Sequence, residues 1–494
     1  MSATPPEPPA DPEGSGGVPE GPAGHGPPAT PGGRAGAGTV SRLLGDWRSE
    51  GVAVHVALRD ALAELIDGAY LPAGQRMPGQ RELAAALGVA RGTVVRAYAE
   101  LTEAGRLVAR HGSGTYVRGT AAAAGRAGEG RLRSFDDRPV VADLSSGALP
   151  RSPLVADVMP DVGRLLAEGS PDDTGYHPAG LPALRSALAD RFTARGLPTR
   201  EDQILVTAGS QQAVWLVATA LTGPGTLALV EDPSYRGALE ALAGAGARVR
   251  GVPFGPSGLD LGLLEAAAPG ARLLYVQSAL HNPTGVHTSG ERRQELAALA
   301  DRHGLLLVDD QSQAELGWFR SEPLHGLERY ADPERLLVLG TLSKLFWGGL
   351  RIGWVRGPRE LVGRLAELRR GIDLGGPVAE QLAALVLLPH AARERERRRA
   401  FLATQYEETA ALLHRLLPAW TWHTPAGGSG LWADTGGEAV ALARRALARG
   451  IRLTPGPAFS PHGGHRGHVR LPVWQEGSRF AEAAGILAEW EGEK

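Results

Sequence analysis

Short apolar runs that alternate with helical stretches are the feature that most restricts the fold of this chain. Four such runs lie at 227–230, 273–276, 305–308 and 336–339, and each is long enough for one strand. Strands that are apolar throughout are buried on both faces, and strands that alternate with helices form a parallel sheet between helical layers. Residues 141–494 are therefore predicted to form an α/β domain with a mainly parallel sheet.

Lysine is nearly absent from the sequence, and one lysine lies at the end of an apolar run. Of the 52 lysines and arginines, only Lys344 and Lys494 are lysine. Arginine serves in ion pairs but stays protonated, whereas a lysine amine can lose its proton and attack an aldehyde. Lys344 follows the run at 336–339, and open α/β sheets bind ligands at the carboxyl ends of their strands. Lys344 is thus a candidate nucleophile, and survival of one lysine by chance is the alternative.

Two segments have the character of an anion site. One runs from a predicted strand through Gly209, Ser210 and Gln211 into a predicted helix. A helix N-terminus presents free backbone N–H groups to an anion, although an ordinary helix cap is the alternative interpretation. The other segment holds Arg351 between glycines, and its fork of N–H donors is suited to a phosphate.

Three further predicted strands end in aromatic or polar residues. The first leads to Tyr235, which is placed to cover one face of a planar ring, with simple core packing as the alternative. The second leads to His281-Asn-Pro-Thr-Gly285. The third ends in Asp309 and Asp310, and a carboxylate there can pair with a pyridinium nitrogen and keep it protonated. These residues are candidates for the same ligand site as Lys344.

Together these motifs resemble one protein family. Ser343-Lys344 followed by Gly349-Leu-Arg-Ile-Gly353, the His-Asn-Pro-Thr-Gly segment and the stretch 176–188 closely resemble the class I/II aminotransferases, the fold-type I family that binds pyridoxal 5′-phosphate. The resemblance implies a fold-type I domain with a smaller C-terminal subdomain. It also implies that Lys344 binds the cofactor covalently and is the catalytic residue.

The same resemblance implies roles for the other candidates. Asn282 would hydrogen-bond the pyridine hydroxyl oxygen, and Asp309 would pair with the ring nitrogen, with Asp310 as the alternative. Arg470, in the segment His468-Val-Arg-Leu-Pro472, would bind a substrate carboxylate. The residues implied to hold the cofactor are Lys344, Asn282, Asp309, Gln311, Tyr235, Gly209, Ser210, Gln211, Ser343 and Arg351.

One position departs from the family pattern. After Asp309 and Asp310 the family has a tyrosine that hydrogen-bonds the cofactor hydroxyl oxygen, and this chain has Gln311. A glutamine amide can still donate a hydrogen bond, but its reach and acidity differ from those of a phenol. Cofactor binding is therefore expected to persist, while efficient transamination is left open.

The N-terminal part divides into three segments by composition. Residues 1–40 contain ten prolines and ten glycines, and such a segment buries too little apolar surface to fold, so it is predicted to be a disordered tail. Residues 41–118 carry apolar residues at helical spacing and are predicted to form a domain. Residues 119–140 are rich in alanine and glycine and are predicted to be a linker.

A helix, a tight turn and a second helix follow one another in the N-terminal domain. The first helix is predicted at 80–87, the turn at Gly88, and the second helix from about Arg91. Two short strands around a glycine-rich turn are predicted at 107–117 and would form a wing. This order is typical of a DNA-binding domain. Six arginines and three glutamates give residues 81–118 a net charge of +3, in a chain whose net charge is −2.

Three motifs in this region resemble the winged helix-turn-helix domain of GntR-family regulators. They are Pro78-x-x-Arg-Glu-Leu-Ala, Leu-Gly-Val-x-Arg-x-Thr-Val and His-Gly-Ser-Gly-Thr-Tyr-Val. Gly79 and Ala90 replace small hydroxyl residues that are usual in the family, and each replacement removes one phosphate contact. The residues implied to contact DNA, the last two at the tip of the wing, are Arg81, Arg91, Thr93, His111 and Gly112.

A GntR-like domain joined to an aminotransferase-like domain resembles the MocR subfamily of bacterial transcriptional regulators, over about residues 50–490. The resemblance implies a regulator that binds double-stranded operator DNA, holds pyridoxal phosphate at Lys344 and senses the cofactor or an amine or amino-acid effector. It also implies a head-to-tail homodimer. Two alternatives stay open: an active aminotransferase with an accessory DNA-binding domain, and a DNA-binding protein whose cofactor is only structural.

Composition excludes several other classes of protein. The chain has no cysteine, so disulfides and thiolate metal sites are excluded, and no metal site is expected. It contains neither an apolar run of about 18 residues nor a basic start followed by an apolar core, so a membrane span and a signal peptide are not predicted. The expected location is the cytoplasm.

Overall fold

The N-terminal unit is built from helices and a two-stranded ribbon. The computed structural model describes residues 36–45, 47–48, 52–67, 71, 74–110, 113–118, 140–169, 172–318, 324–475 and 477–491. Within them, the elements of the N-terminal unit are α1 (Ala37–Leu44), α2 (Val54–Asp67), α3 (Gln80–Leu87), α4 (Arg91–Glu103), β1 (Leu107–Arg110) and β2 (Gly114–Val117). The helices predicted at 80–87 and from Arg91 and the two strands of the wing are confirmed.

The turn between α3 and α4 follows from one glycine and one apolar face. Gly88 ends α3 with φ 62°, a left-handed conformation that glycine adopts without steric cost. Helix α4 then buries Val94, Tyr98 and Leu101, which recur at helical spacing. The Tyr98 hydroxyl donates a hydrogen bond of 3.1 Å to the Pro78 carbonyl, which fixes α4 against the segment before α3.

The predicted tail, linker and wing tip fall wholly or partly outside the residues that the structure describes. Helix α1 begins at Ala37, so regular structure starts inside the segment predicted to be a tail. Residues 1–35 and nearly all of the predicted linker lie outside the described residues. His111 and Gly112, at the predicted tip of the wing, also lie outside them, between β1 and β2.

The second unit begins with β3 (Ala142–Asp143) and is dominated by a large sheet. The strands of this sheet, eight among the described residues, are β4 (Ile204–Thr207), β5 (Leu227–Asp232), β6 (Arg248–Gly255), β7 (Gly258–Leu259), β8 (Ala271–Val276), β9 (Leu306–Asp310), β10 (Leu336–Thr341) and β11 (Gly353–Arg356). Their spatial order is β4-β11-β10-β9-β8-β5-β6-β7. Strands β10, β9, β8, β5 and β6 pair in parallel, so the predicted mainly parallel sheet is confirmed.

Helices cover both faces of this sheet, as the apolar character of its strands requires. They are α5 (Leu154–Asp157), α6 (Met159–Glu168), α7 (Pro182–Ala194), α8 (Ser210–Leu221), α9 (Arg236–Gly244), α10 (Leu261–Ala267), α11 (Gly290–Arg302), α12 (Arg359–Asp373) and α13 (Val378–Leu387). Neighbouring residues of β9 belong to different cores, because Leu307 packs into the apolar cluster on one face and Val308 into the cluster on the other. The same alternation makes the two aspartates at the end of β9, Asp309 and Asp310, point to opposite faces of the sheet.

A smaller C-terminal subdomain follows, here called the small subdomain (residues 391–491 with β3). Its elements are α14 (Ala391–Leu416), β12 (Thr421–Trp422), β13 (Gly430–Asp434), α15 (Ala439–Ala448), β14 (Ile451–Arg452), β15 (Thr454–Pro455), β16 (His468–Pro472) and α16 (Gly477–Glu491). Strands β12, β13, β16 and β15 form an antiparallel sheet, and β14 pairs in parallel with β3. Among the described helices, none is long and apolar enough to cross a membrane.

Candidate functional site

Lys344 lies immediately after β10, at the carboxyl edge of the large sheet. Its Nζ donates a hydrogen bond of 3.1 Å to the carbonyl of Gly147. Burial and the positive charges of Arg470, Arg236 and Arg351 together lower the pKa of Lys344 to about 8, and the charge of Asp310 partly opposes them. A lysine amine with this pKa is partly unprotonated near neutral pH and can act as a nucleophile.

Of the two aspartates at the end of β9, Asp310 faces Lys344. It accepts hydrogen bonds of 2.6 Å from the Tyr275 hydroxyl and 2.9 Å from the Ser312 backbone N–H. Burial raises the pKa of Asp310, and the hydrogen bonds from Ser312 and Tyr275 and the charge of Lys344 oppose that shift. Asp310 therefore lies among the groups that surround the lysine.

Asp309 points to the other side of the sheet, which corrects the sequence prediction that made it the first choice. Its carboxylate accepts hydrogen bonds from the Ser278 hydroxyl (2.9 Å), the Leu327 N–H (2.8 Å) and the Gln311 side chain (3.0 Å). The physical reason is that successive side chains of a strand point to opposite faces. The alternative that the sequence held open, Asp310, is the residue that the structure places near Lys344.

Gln311 is also turned away from Lys344, so it does not take the place predicted for it beside a cofactor. Its amide nitrogen donates to Asp309 and, over 2.6 Å, to Glu328. Glu328 in turn pairs with Arg195 at 3.1 Å. Ser312 instead lies on the side of Asp310, to which its hydroxyl donates. The residue that sequence reasoning singled out thus belongs to a polar network behind the sheet.

A cradle suited to an anion lies where β4 passes into α8. Gly209 precedes α8 with φ 80°, and the Ser210 backbone N–H begins a helix of 12 residues. A Cβ on Gly209 would lie 2.6 Å from the Arg351 guanidinium, and a Cβ on Gly353 would lie 2.7 Å from the Ser210 nitrogen. A side chain at either position would collide with these groups, so the glycines allow Arg351 and the Ser210 N–H to approach this loop closely. Ser343, whose hydroxyl accepts from Thr341 at 2.9 Å, lies at the adjoining strand end.

Tyr235 and Gln211 are in direct contact at the same edge of the sheet. The Tyr235 hydroxyl donates a hydrogen bond of 2.9 Å to the Gln211 side-chain oxygen. Burial raises the pKa of Tyr235 to about 12, with the charge of Arg236 opposing. A tyrosine held neutral in this way keeps its proton for hydrogen bonding, and its ring is fixed beside the groups around Lys344.

Asn282 carries a buried amide oxygen that lacks a hydrogen-bond partner among the described residues. Its backbone N–H is bonded to the Gln277 side chain at 3.3 Å, so the segment itself is fixed. A buried polar atom without a partner is rare in folded proteins and indicates a ligand or another missing group. Asn282 follows β8, which lies between β5 and β9, so it lies at the same edge of the sheet as Tyr235 and Asp310.

Arg470 approaches Lys344 from the small subdomain. It is buried, donates a hydrogen bond of 3.2 Å to the Ser429 hydroxyl, and leaves its Nε without a partner among the described residues. Burial and the charge of the neighbouring Arg236 together lower the pKa of Arg470 to about 10. A Cβ on Gly147 would collide with the Arg470 guanidinium. Gly147 is therefore in contact with both Arg470 and Lys344.

Sequence reasoning missed several members of this cluster. Gly147 and Arg236 lie outside any motif that was recognised, and Tyr275 sits inside an apolar run where it reads as core. Arg236 is buried and donates to Thr454 at 3.3 Å. A buried arginine beside Arg470 and Arg351 makes the region around Lys344 positive, which suits a ligand with several negative charges. The described residues contain no group of three or more side chains arranged for a metal.

The predicted DNA contacts lie on the surface of the N-terminal unit. Arg81 of α3 and Arg91, the first residue of α4, are exposed, and Thr93 is partly exposed. Ala90, the N-cap residue of α4, makes no side-chain hydrogen bond to the helix, so the first backbone N–H groups of α4 are open to an anion. The structure thus places three of the five predicted residues at the N-terminal ends of the two helices of the helix-turn-helix.

Two family models match the chain. One, aminotransferase class I and II, matches residues 139–475, and the other, bacterial regulatory proteins of the gntR family, matches residues 55–117. The first match covers more than half of the sequence, so the chain belongs to the class I and II aminotransferase family. Its N-terminal domain is a gntR-type helix-turn-helix, and this combination is that of MocR-type regulators.

Individual relatives agree with this composite layout. The chain is 29% identical over 462 residues to the HTH-type transcriptional regulator YisV of Bacillus subtilis, covering 87% of this chain and 94% of YisV. It is 31% identical over 341 residues to the probable rhizopine catabolism regulatory protein MocR of Rhizobium meliloti, covering 64% of this chain and 67% of that protein.

A solved structure supports the fold of the second unit. It is LysN, an α-aminoadipate aminotransferase of Thermus thermophilus in complex with N-(5′-phosphopyridoxyl)-L-leucine. The two share 27% identity with a TM-score of 0.65, over 73% of this chain and 95% of LysN. The fold-type I architecture expected from the sequence is therefore confirmed.

Proposed function

We propose that this protein is a DNA-binding transcriptional regulator that holds pyridoxal phosphate at Lys344 and senses the cofactor, or an amine or amino acid that reaches it. The observation that carries the proposal is the presence in one chain of a gntR-type domain with exposed Arg81 and Arg91 and a second unit whose polar groups converge on Lys344. When bound, pyridoxal phosphate supplies a reactive aldehyde carbon and an electron-withdrawing ring.

The residues present fit this cofactor. Lys344 supplies an amine whose lowered pKa leaves part of it unprotonated. Asp310 supplies a buried carboxylate for a ring nitrogen, and we assign it this role in place of Asp309. Asn282 supplies an amide whose oxygen lacks a partner among the described residues, and Tyr235 supplies a ring fixed by its hydrogen bond to Gln211. The groups proposed to hold the phosphate are Gly209, Ser210, Gln211, Ser343 and Arg351.

Arg470 is proposed to bind the carboxylate of an amino-acid effector. Its Nε lacks a partner among the described residues although the side chain is buried, and a carboxylate satisfies such a fork in a bidentate way. The arginine belongs to the small subdomain, whereas Lys344 belongs to the large sheet. A ligand held by both residues would therefore join the two parts of the second unit.

On the DNA side, Arg81, Arg91 and Thr93 are proposed to contact a double-stranded operator. Phosphate contacts from arginine supply affinity, and contacts to base edges supply specificity. The helix N-terminus at Ala90 adds backbone donors where a hydroxyl side chain is lacking. His111 and Gly112 remain proposed contacts at the wing. A regulator of this kind acts in the cytoplasm, where the DNA is.

A homodimer is part of the proposal. Tyr176 is 66% exposed and Leu374 is 49% exposed, although both are large side chains. The two lie in neighbouring segments, because a Cβ on Gly375 would come within 2.8 Å of the His177 carbonyl oxygen. Exposed apolar side chains that lie together are typical of a protein interface. They support a second copy of the chain as the partner.

An active aminotransferase is the second candidate. Lys344, Asp310 and Arg470 together are compatible with turnover of an amino acid, which favours this alternative. Against it, neither Gln311 nor Ser312 supplies a phenol: Gln311 faces Glu328, and the Ser312 hydroxyl donates to Asp310. Steady conversion of an amino acid and a keto acid by the purified protein would decide for the enzyme.

The deciding experiment titrates the purified protein onto DNA from upstream of its own gene, with and without pyridoxal phosphate, while the visible spectrum is recorded. We expect a cofactor band to form and the DNA affinity to change with it. Formation of the band with unchanged DNA affinity would favour the enzyme or a purely structural cofactor. Absence of DNA binding under both conditions would contradict the regulator.

A further inference from the structure

Helix α1 joins the N-terminal unit to the small subdomain. Its residues Val40, Leu43 and Leu44 are at most 1% exposed. They share one apolar cluster with Trp47, with the core of the helix-turn-helix domain, and with Val440 of α15. Because α15 belongs to the small subdomain, the core of the DNA-binding unit crosses the boundary between the two units.

The end of α1 is fixed to α15 by close backbone contact and by hydrogen bonding. Arg444 donates a hydrogen bond of 2.8 Å to the Leu44 carbonyl, at the negative end of α1, where a cation is favoured. Gly45 has φ 55°, and a Cβ there would lie 2.8 Å from the Cβ of Ala441. A glycine is required on both counts. We call the contact of Leu44 and Gly45 with Arg444 and Ala441 of α15 the clasp.

On its other side, α1 touches the helix-turn-helix itself. The Ser41 hydroxyl donates to the Ala86 carbonyl of α3 at 3.2 Å. Arg48 donates to the carbonyl of Gly88, the turn residue between α3 and α4, at 3.4 Å. The helix that reaches the small subdomain therefore also contacts the turn that sets the angle of α4.

On the side of the small subdomain, a short series of contacts connects the clasp to the candidate site. Helix α15 continues through β14 into β15, where Thr454 pairs with Arg470 of β16. The Thr454 hydroxyl accepts from Arg236 and donates to the Ser145 carbonyl, each at 3.3 Å. Gly147, two residues after Ser145, accepts the hydrogen bond of Lys344. Arg470 is thus directly connected to the strand that follows α15 and β14.

We propose that the clasp transmits movement of the small subdomain to the DNA-binding unit. This inference rests on the proposed function, since it assumes that a ligand at Lys344 and Arg470 changes DNA affinity. A ligand shifts such an equilibrium only if it binds the two arrangements with different affinity. Arg470 and Lys344 lie on different parts of the second unit, so their joint contact with a ligand distinguishes an open from a closed arrangement.

Ala441→Trp tests the clasp, with Leu447→Trp as the matched control on the same helix. Ala441 faces Gly45, where a tryptophan does not fit, whereas Leu447 is 48% exposed. When pyridoxal phosphate and an amino acid are added, the DNA affinity of the wild type and of Leu447→Trp is expected to change by about 5–150-fold, which is the usual range for coupled sites. The DNA affinity of Ala441→Trp is expected to change by less than about twofold. All three proteins are expected to keep the cofactor band.

The outcomes separate the two proposals. If the wild type responds to ligand and Ala441→Trp responds equally, the clasp is overturned and the proposed function stands. If the wild type does not respond at all, the proposed function fails, and the coupling with it.

A second measurement tests the contact without any ligand. The natural chain has no cysteine, so Arg42→Cys with Ala441→Cys offers a single pair to a short bis-maleimide, and Arg42→Cys with Leu447→Cys is the control. Preferential cross-linking of the first pair within one chain supports the clasp. A first pair that cross-links no faster than the control, or only between chains, overturns it.

Discussion

Asp309 and Asp310 are neighbours in sequence, are 0% and 1% exposed, and have opposite surroundings. Asp310 faces Lys344 and is bonded by Tyr275 and Ser312. Asp309 faces a network of Gln311, Glu328 and Ser278 on the other side of the sheet. Burial alone therefore does not identify a functional carboxylate, because the charges that it faces decide its role.

The two carboxylates also differ in the charges and hydrogen bonds that shift their pKa. The charge of Lys344 opposes the rise in the pKa of Asp310 that burial causes. For Asp309, burial and the nearby charge of Glu328 raise the pKa to about 6, although three hydrogen bonds lower it. We propose that the side with the lysine holds a ligand, whereas the side with Glu328 stabilises the packing of the strands. Each prediction below acts on one side and leaves the other unchanged.

The largest effect is expected from Lys344→Ala. Loss of the amine removes the covalent bond to pyridoxal phosphate, because alanine has no nucleophile. The visible band is expected to vanish after gel filtration, while the melting temperature without cofactor stays close to that of the wild type. Lys494→Ala, which removes the other lysine, is the control and should keep the band. A full band in Lys344→Ala would rule out this lysine as the anchor.

Asp310→Asn and Asp309→Asn form the most direct comparison of the two sides. Asp310→Asn removes the charge proposed to pair with the ring nitrogen, and retention of the cofactor should fall about 10–100-fold, which corresponds to ~1.5–3 kcal/mol for a hydrogen bond to a charged group. Asp309→Asn should lower thermal stability and leave cofactor affinity within about threefold, within the scatter usual for such measurements. Dialysis followed by absorbance measures both variants, and the reverse ranking would restore Asp309 as the cofactor residue.

The sequence was sufficient to predict the strands whose ends carry the candidate site residues. Each apolar run coincides with most of a strand, although β5, β9 and β10 continue for two residues beyond the run. Lys344, Asn282, Tyr235 and Arg470 all lie at one edge of the second unit. Apolar runs predict buried strands reliably because continuous burial on both faces leaves few other solutions. For the same reason the helix-turn-helix, with a glycine between two short helices, was predicted with its bounds.

The sequence did not show to which face of the sheet each of two adjacent residues points. Strands buried on both faces lack the polar alternation that marks an inner and an outer side, so nothing local distinguishes Asp309 from Asp310. The role of Gln311 depends on Glu328, which reaches it only through tertiary structure. Helix α1 was missed because it lies at the end of a segment rich in proline and glycine, and its apolar face is buried by distant α15.

A smaller effect is expected from pH on the Lys344 side. With a pKa of about 8 in place of the usual 10.5, the unprotonated fraction of Lys344 rises from about one tenth at pH 7 to about nine tenths at pH 9. The rate of reaction of cofactor-free protein with pyridoxal phosphate should therefore rise about tenfold over this range and level off above it. Stopped-flow absorbance measures the rate, and an N-acetyl-lysine solution serves as control. A rate that keeps rising to pH 10.5 would contradict the lowered pKa.

The smallest effect concerns the opposite side, where Glu328→Gln should lower stability without changing the cofactor. Burial by itself would raise the pKa of Glu328, and the hydrogen bond with His325 and the charge of Arg195 outweigh it, so the pKa falls to about 2. A carboxyl whose pKa is lower in the folded state stabilises the fold above its ordinary pKa of 4.5, and this contribution disappears as the pH falls toward 2.

Glu328→Gln is therefore expected to lose about 1–2 kcal/mol of unfolding free energy at pH 7, of the order reported for hydrogen bonds between buried partners, and less at pH 4. Urea denaturation at the two pH values measures the difference, and Glu334→Gln, at an exposed site, is the control. A loss that grows toward acid pH would mean that Glu328 is protonated in the folded protein. Asp309 would then be the charged carboxylate of the network that it forms with Gln311 and Glu328. The two sides of the sheet would then differ only in the presence of Lys344.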